Sequence, residues 1–235
     1  MEVYSTDFDS TRKDDGSPVT LADTAAEAVI LPGLRALTPD IPVVSEEEHS
    51  AGESPEAVGN RFWLVDPLDG TREFLKRNDE FTVNIGLVED NIPIFGVLYA
   101  PALDLMYAAT LQNGATLIAG DEPERAISCR MPPEDGLDVL VSRSHSVNER
   151  LEKYLVDETV RSRIPQGSAL KFGRLAEGIA DIYPRFSPTC EWDTGAGHAI
   201  VLAAGGSLTR IDGGVFDYGK KPKYLNPGFV AFGRR

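Results

Sequence analysis

Three short stretches carry residues that could do chemistry together. An apolar run with strand character, Phe62-Trp63-Leu64-Val65, ends in Asp66-Pro67-Leu68-Asp69-Gly70-Thr71. Two carboxylates three residues apart at the mouth of a strand are poorly explained by packing. Pro67 stiffens the turn, and Gly70 lets the backbone approach a ligand closely. Thr71 adds a hydroxyl, and the amides of Gly70, Thr71 and Arg72 can open a short helix toward an anion. Hard oxygen ligands beside such a helix start point to magnesium holding a phosphate. A lone DxxD is more often a solvated acidic turn, so the other stations matter. A second apolar strand, 41–45, delivers Glu46, Glu47 and Glu48 to its end, which alone reads equally well as a solvated loop. The third station is Asp193, within Glu191-Trp192-Asp193-Thr194-Gly195-Ala196-Gly197-His198. A helix should begin there, and an N-cap is the ordinary reading. A carboxylate has two oxygens, so capping and ligation are compatible.

Several elements must position these stations. Asp14 to Pro18 has turn composition, and Thr20 with Asp23 resembles a capping box. A helix should then run to about Leu37, with Ala25, Val29, Leu34 and Leu37 inward and Pro32 kinking or splitting it. Residues 49–60 read as a flexible loop. Strand-like runs follow at 81–89, 92–100, 105–110 and 115–119, joined by short turns, so an antiparallel sheet is expected. After about Ser128 strands and helices alternate. Strands are expected at 137–141, 160–164, 181–183, 207–211 and 228–232, and helices at 147–156, 168–177 and 194–204. The chain thus divides into a helix-plus-antiparallel-sheet half, 1–128, with most of the candidate ligands, and an α/β half, 129–235.

Composition bounds the function. A chain of 235 residues, 42% hydrophobic and 26% charged, is that of an ordinary soluble globular protein. The net charge of −14 and the lack of a basic stripe argue against a nucleic-acid polymer as partner. An anionic small substrate must therefore be recruited locally, and bound cations could do this. The two cysteines, Cys129 and Cys190, form no CxxC pattern, and the three histidines lack metal-ligand spacing. No apolar run approaches the roughly 20 residues of a membrane span, and no signal-peptide pattern opens the chain. The expectation is a cytoplasmic protein, or one peripheral to the inner face of the membrane.

The stations and their surroundings resemble a known family. The stretches are DGSPVTLAD (15–23), PVVSEE (42–47), FWLVDPLDGTREFLKRNDEFTVNIGLV (62–88), GVLYAP (96–101), SRSH (142–145), GSALKF (167–172), YPRF (183–186), EWDTGAGHAI (191–200) and LNPGF (225–229). In this order they resemble the lithium-sensitive, magnesium-dependent phosphatases related to inositol monophosphatase, and more closely their 3'(2'),5'-bisphosphate nucleotidase branch. The resemblance implies a layered αβαβα sandwich and two magnesium ions, or three. Glu46, Asp66 and the carbonyl of Leu68 would hold one ion. Asp66, Asp69 and Asp193 would hold a second, with Asp66 bridging, and a third would sit near Glu46 and Glu47. Thr71, oriented by Asp23, would help deprotonate an attacking water, with Glu46 counted in the catalytic set. Lys13 matches a basic residue of the same segment.

The implied reaction is hydrolysis of 3'-phosphoadenosine 5'-phosphate to AMP and phosphate, by direct attack of metal-activated water and without a phosphoenzyme. Gly70, Thr71, Arg72 and Asp193 would contact the substrate, as would Ser142, Arg143, His145, Ser168, Lys171 and Arg185. Inositol 1,4-bisphosphate or a sugar bisphosphate is the alternative substrate. A catalytically silent nucleotide or metal sensor would not need Thr71 and Asp23, and a purely structural magnesium protein would leave SRSH and GSALKF unexplained. The expected state is a monomer or homodimer. Family members carry most of a helix ahead of the segment that here reads Met1 to Tyr4, so apolar surface is expected to be exposed beside it.

Overall fold

The computed structural model describes residues 1–6, 10–12, 18–143, 149–220 and 222–235. Lys13, His145 and the turn expected over Asp14 to Ser17 lie outside them. A short helix α1 (Glu2–Ser5) and an antiparallel pair, β1 (Ser10–Arg12) with β2 (Pro18–Thr20), come first. The expected capping box then starts α2 (Leu21–Leu37). Thr20 Oγ1 accepts the Ala22 amide at 3.1 Å, and Asp23 Oδ2 accepts both the amide and the hydroxyl of Thr20 at 2.8 Å.

Two expectations about α2 are revised: Pro32 does not split it, and its inward face differs. The helix runs unbroken through Pro32. Pro32 and Ala28 are both exposed, so the carbonyl that the proline leaves without a donor faces water. The inward face is also not the expected one: Leu31 and Leu34 are buried, whereas Ala25, Val29 and Leu37 are exposed. The buried stripe includes Asp23, and half-buried Glu27 bonds the Ser45 hydroxyl. Polar residues on the inward stripe mislead a reading based on apolar spacing alone.

The seven-stranded sheet follows in chain order: β3 (Val43–Ser45), β4 (Arg61–Asp69), β5 (Thr82–Glu89), β6 (Ile92–Ala100), β7 (Leu105–Thr110), β8 (Gly114–Ala119) and β9 (Arg125–Ile127). It is antiparallel except for the β3–β4 pair. Helix α3 (Glu46–Ser50) follows β3, and α4 (Thr71–Leu75) follows β4. The loop expected from His49 onward therefore begins two residues later, after Ser50. In the second half come β10 (Leu137–Ser142), α5 (Glu149–Tyr154), β11 (Val160–Gln166), α6 (Leu170–Ala176), β12 (Ile182–Arg185), α7 (Glu191–Ala203), β13 (Ser207–Arg210) and β14 (Phe229–Phe232). Their strands form a five-stranded sheet in the order β11-β10-β12-β14-β13.

The cores define the layers. On the outer face of the first sheet, Leu31 and Leu34 of α2 pack with Val43, Trp63, Val65 and Leu87. Between the sheets, Leu170, Phe172 and Leu175 of α6 and Ile200 and Val201 of α7 meet Leu64, Leu98 and Tyr107 from one side and Leu140 and Phe229 from the other. Beyond the second sheet, Leu151 in α5 and nearby Leu155 cover Val139, Val141, Ile182 and Val230. Leu140 faces inward and its neighbours Val139 and Val141 outward, as strand alternation requires. The result is an αβαβα sandwich. Among the described residues, no helix is long and apolar enough to cross a membrane.

Helix α7 is the axis of the middle layer and carries a buried histidine. His198 Nδ1 lies 3.1 Å from the Tyr218 hydroxyl, and burial, aided by Lys220, pushes the ring's pKa down to about 3. The unfolded chain takes up this proton below about pH 6.5 and the folded chain does not, so the contribution of His198 to stability falls as pH drops from there toward 3. One proton contributes about 1.4 kcal/mol per pH unit. We expect unfolding free energies from urea titrations to shift between pH 6.5 and 4.5 so that wild type loses about 2–3 kcal/mol relative to His198→Gln. Equal slopes would remove His198 as the source.

Candidate active site

Strand β4 does not end at Val65. It continues to Asp69 with a change of register against β5: Asp66 lies opposite Asn84, and Asp69 opposite Thr82. Three steps on β4 thus match two on β5, a one-residue bulge containing Pro67, which has no amide hydrogen to offer a ladder. This decides the geometry. In a regular strand residues i and i+3 point to opposite faces, whereas the bulge returns Asp69 to the face of Asp66. That face is the one covered by α7, since Leu64 meets Gly195 and Gly86 meets Ala196.

The same helix brings the third carboxylate. Helix α7 starts at Glu191, three residues before the expected 194, with Cys190 as N-cap. Asp193 is consequently the third helical residue rather than the N-cap, and its Oδ2 accepts the Cys190 amide at 2.8 Å. Gly86 and Gly96 allow the helix this close. A Cβ on Gly86 would lie 2.8 Å from the Ala196 nitrogen, and one on Gly96 would overlap the Ala196 carbonyl oxygen.

The electrostatics mark one cluster. Burial, then Glu46, Asp69 and Asp193, hold the Asp66 carboxyl well above the usual carboxylate range. Burial, then Asp69 and Glu46, do the same to Asp193. Asp69 is also raised by burial, against the opposing pull of Lys171. Among the described residues, no three His, Cys, Asp or Glu side chains are drawn into a closed metal shell. The donor set nevertheless fits a hard divalent cation. Four mutually repelling carboxylates offer only oxygen, and a cation between them would offset both their repulsion and their desolvation.

A cleft of about 380 Å³ opens beside this cluster, within the range of small-molecule sites. Asp69, Gly70, Thr71 and Arg72 line it from the β4–α4 junction, and Asp193 from α7. Ser142, Arg143, Ser168, Lys171 and Arg185 line it from the second half. The two walls are tied together. The Ala169 amide donates to Asp69 Oδ2 at 2.5 Å, and Gly70 lies in the left-handed region at φ +91°, where an added Cβ would come within 3.1 Å of Ser168 Cβ and 3.3 Å of the Glu80 carbonyl. Ser168 is itself left-handed, at φ +47°, a strain of the kind found at functional sites. Helix α4, beginning at Thr71, packs on β2 next to the Thr20–Asp23 cap. Asp66 is buried beneath, with Oδ1 accepting the Leu68 amide at 3.0 Å, while the Leu68 side chain packs with Tyr4, Phe74 and Phe81. Glu46 and Glu47 head α3.

The cations of the cleft differ in their freedom. Lys171 is buried and donates to the carbonyls of Ser168 at 2.6 Å and Gln166 at 3.1 Å, and burial lowers its pKa to about 8. Arg185 donates to Ser142 Oγ at 2.6 Å, and its Nε has no hydrogen-bond partner among the described residues. Arg143 donates from Nε and Nη2 to the two carboxylate oxygens of Glu80, which also accepts the Gly167 amide at 2.7 Å. Glu80 is a residue that sequence reasoning missed. It lies 63 positions from Arg143, and no local pattern signals such a pair. Thr82 and Asn84 were missed too, although polar residues at alternate positions of an otherwise apolar strand are a signal.

The model of the inositol monophosphatase family matches residues 1–231. The chain is 48% identical over 231 residues to the 3'(2'),5'-bisphosphate nucleotidase CysQ of Salmonella typhimurium, covering 97% of this chain and 92% of that protein. It is 46% identical to the CysQ of Escherichia coli K12, with the same coverage. Among solved structures, CysQ from Bacteroides thetaiotaomicron superposes with a TM-score of 0.76 at 36% identity, covering 94% of this chain and 87% of that one. The inositol monophosphatase of Anabaena superposes with a TM-score of 0.74 at 27% identity, covering 91% and 81%.

Proposed function

The chain belongs to the inositol monophosphatase family, and on that premise we propose that it hydrolyses the 3'-phosphate of 3'-phosphoadenosine 5'-phosphate, giving AMP and phosphate. The observation that carries the reading is a buried carboxylate cluster beside a cleft rimmed by Arg72, Lys171 and Arg185 in a chain of net charge −14. Nearly half its residues are those of nucleotidases that bear this name. The enzyme is a metal-dependent phosphatase. Glu46, Asp66 and the Leu68 carbonyl would hold one magnesium, Asp66, Asp69 and Asp193 a second, and Glu47 with Glu46 a third. What these cations supply when bound is neutralised phosphoryl charge and a lowered pKa for water.

The chain's own residues do the rest. Thr71, first residue of α4, and Asp23, its carboxylate fixed by Thr20, would orient the attacking water and take its proton. Gly70 lets the phosphoryl group approach the backbone. Arg72, Ser142, Ser168, Lys171 and Arg185 would orient the second phosphate and the nucleoside, and Arg143 joins them only in competition with Glu80. The division of labour follows the two halves: 1–128 supplies most metal ligands, and 129–235 supplies Asp193 and most of the substrate contacts.

Phosphate release in the presence of magnesium tests this. We expect kcat/KM for 3'-phosphoadenosine 5'-phosphate to exceed that for inositol 1-phosphate, inositol 1,4-bisphosphate and fructose 1,6-bisphosphate by about 100-fold or more, about 2.7 kcal/mol of differential transition-state binding. Preference for an inositol or sugar ester would overturn the substrate and keep the metal chemistry.

A further inference from the structure

Two side chains of β5 are buried beside the carboxylate cluster without partners. Asn84 is 1% exposed, and neither its amide nitrogen nor its amide oxygen has a hydrogen-bond partner among the described residues. Thr82 is 0% exposed, and its hydroxyl is likewise unpaired. Buried polar atoms are rarely left so, because each forfeits its bonds to water. Their placement is specific. Asn84 stands directly across the ladder from Asp66, and Thr82 from Asp69. Directly opposed residues share a face with Cβ atoms about 4.5–5.5 Å apart. On its other flank Asn84 faces Leu98, which is apolar, and α7 covers the same face at Gly86. Asp66 is therefore the polar neighbour that the ladder gives to Asn84.

We propose that Asn84 and Thr82 are positioning residues of the cation centre: they hydrogen-bond the carboxylates of Asp66 and Asp69 in the ligating orientation and so set cation affinity. This rests on the assignment of those carboxylates as ligands. The polar atoms are a burden in the cation-free protein and become useful once the carboxylates turn toward a cation. That gives two readouts of opposite sign. Asn84→Leu and Thr82→Val keep the shape and delete the polar atoms.

The test uses the substrate-free full chain, with Mn²⁺ titrated by calorimetry and melting followed in EDTA. For Asn84→Leu we expect the melting temperature in EDTA to rise by about 2–4 °C, with the Mn²⁺ dissociation constant raised about tenfold or more. Thr82→Val should move both the same way, and carries the test alone if Asn84→Leu does not fold. Tyr224→Phe, which removes an equally buried unpaired hydroxyl outside the ligand set, should leave Mn²⁺ affinity unchanged. Wild-type affinity in both β5 variants would overturn the inference. If Asp66→Asn loses Mn²⁺ binding in that case, the ligand assignment stands and only the positioning role falls. If wild type binds no Mn²⁺, or Asp66→Asn binds it normally, the ligand assignment falls and takes this inference with it.

Discussion

Replacing Asp66 with Asn is expected to lower kcat/KM by about 10³-fold or more, about 4 kcal/mol of transition-state stabilisation, while making the metal-free protein more stable. The two effects share one cause. Asp66 lies under the cluster, is 1% exposed, and feels Glu46, Asp69 and Asp193 at once. Its carboxyl is held well above the ordinary range, so the folded chain binds this proton more readily than the unfolded chain. The ionised form consequently weakens the fold as pH rises past the ordinary carboxylate value. Asparagine removes that repulsion and keeps an oxygen for the Leu68 amide. It also removes the charge that would bridge two cations. Melting curves with EDTA and with magnesium check the pattern. Without metal the variant should melt a few degrees above wild type, and with magnesium the order should reverse. A variant that melts lower in EDTA would show that the carboxylates do not repel one another as described.

The second large effect is expected far from the carboxylates in sequence. Gly96→Ala should destabilise the fold by about 3 kcal/mol or more, as overpacking against backbone does. For a chain of this length that is a fall of about 6–12 °C in melting temperature. The added methyl would overlap the Ala196 carbonyl oxygen, and helix backbone cannot swing aside like the end of a long side chain. The helix must lift from β5 and β6, and Asp193, on its first turn, moves with it. Magnesium should then stabilise the variant less than it stabilises wild type, as read from the melting shift on adding metal. Gly33 provides the contrast, since nothing lies within 4 Å of its added Cβ. Gly33→Ala should be neutral or slightly stabilising. Equal behaviour of the two variants would mean that the close approach of α7 is not what positions Asp193.

The paired state of Arg143 bears on the proposed recognition of a second phosphate. An arginine read from SRSH as a phosphate contact is held through Nε and Nη2 by Glu80, and Glu80 also holds the Gly167 amide of the turn that reaches Asp69 through Ala169. A phosphate approaching the Nε and Nη2 edge of Arg143 would have to displace Glu80. Arg72, Lys171 and Arg185 are the other cations that line the cleft.

Sequence by itself singled out the candidate metal ligands, and it determined most of the elements. The Thr20–Asp23 cap, the strands through 82–119 and the alternation after 137 rest on local chemistry: side chain to nearby amide, period of two, turn residues between runs. The family was legible for the same reason, because its motifs are short and contiguous. Tertiary structure alone decided which face each residue shows and what it meets there. The bulge at Pro67 that puts Asp66 and Asp69 on one face is a property of register against β5. The inward stripe of α2 runs through Asp23 rather than Val29 because the sheet and the cap select it. Helix α7 gains its first turn from Cys190, and Glu80 takes Arg143 across 63 residues. Register, close approach and long-range pairing depend on where distant backbone lies, and that is fixed only when both sheets close on the middle helices.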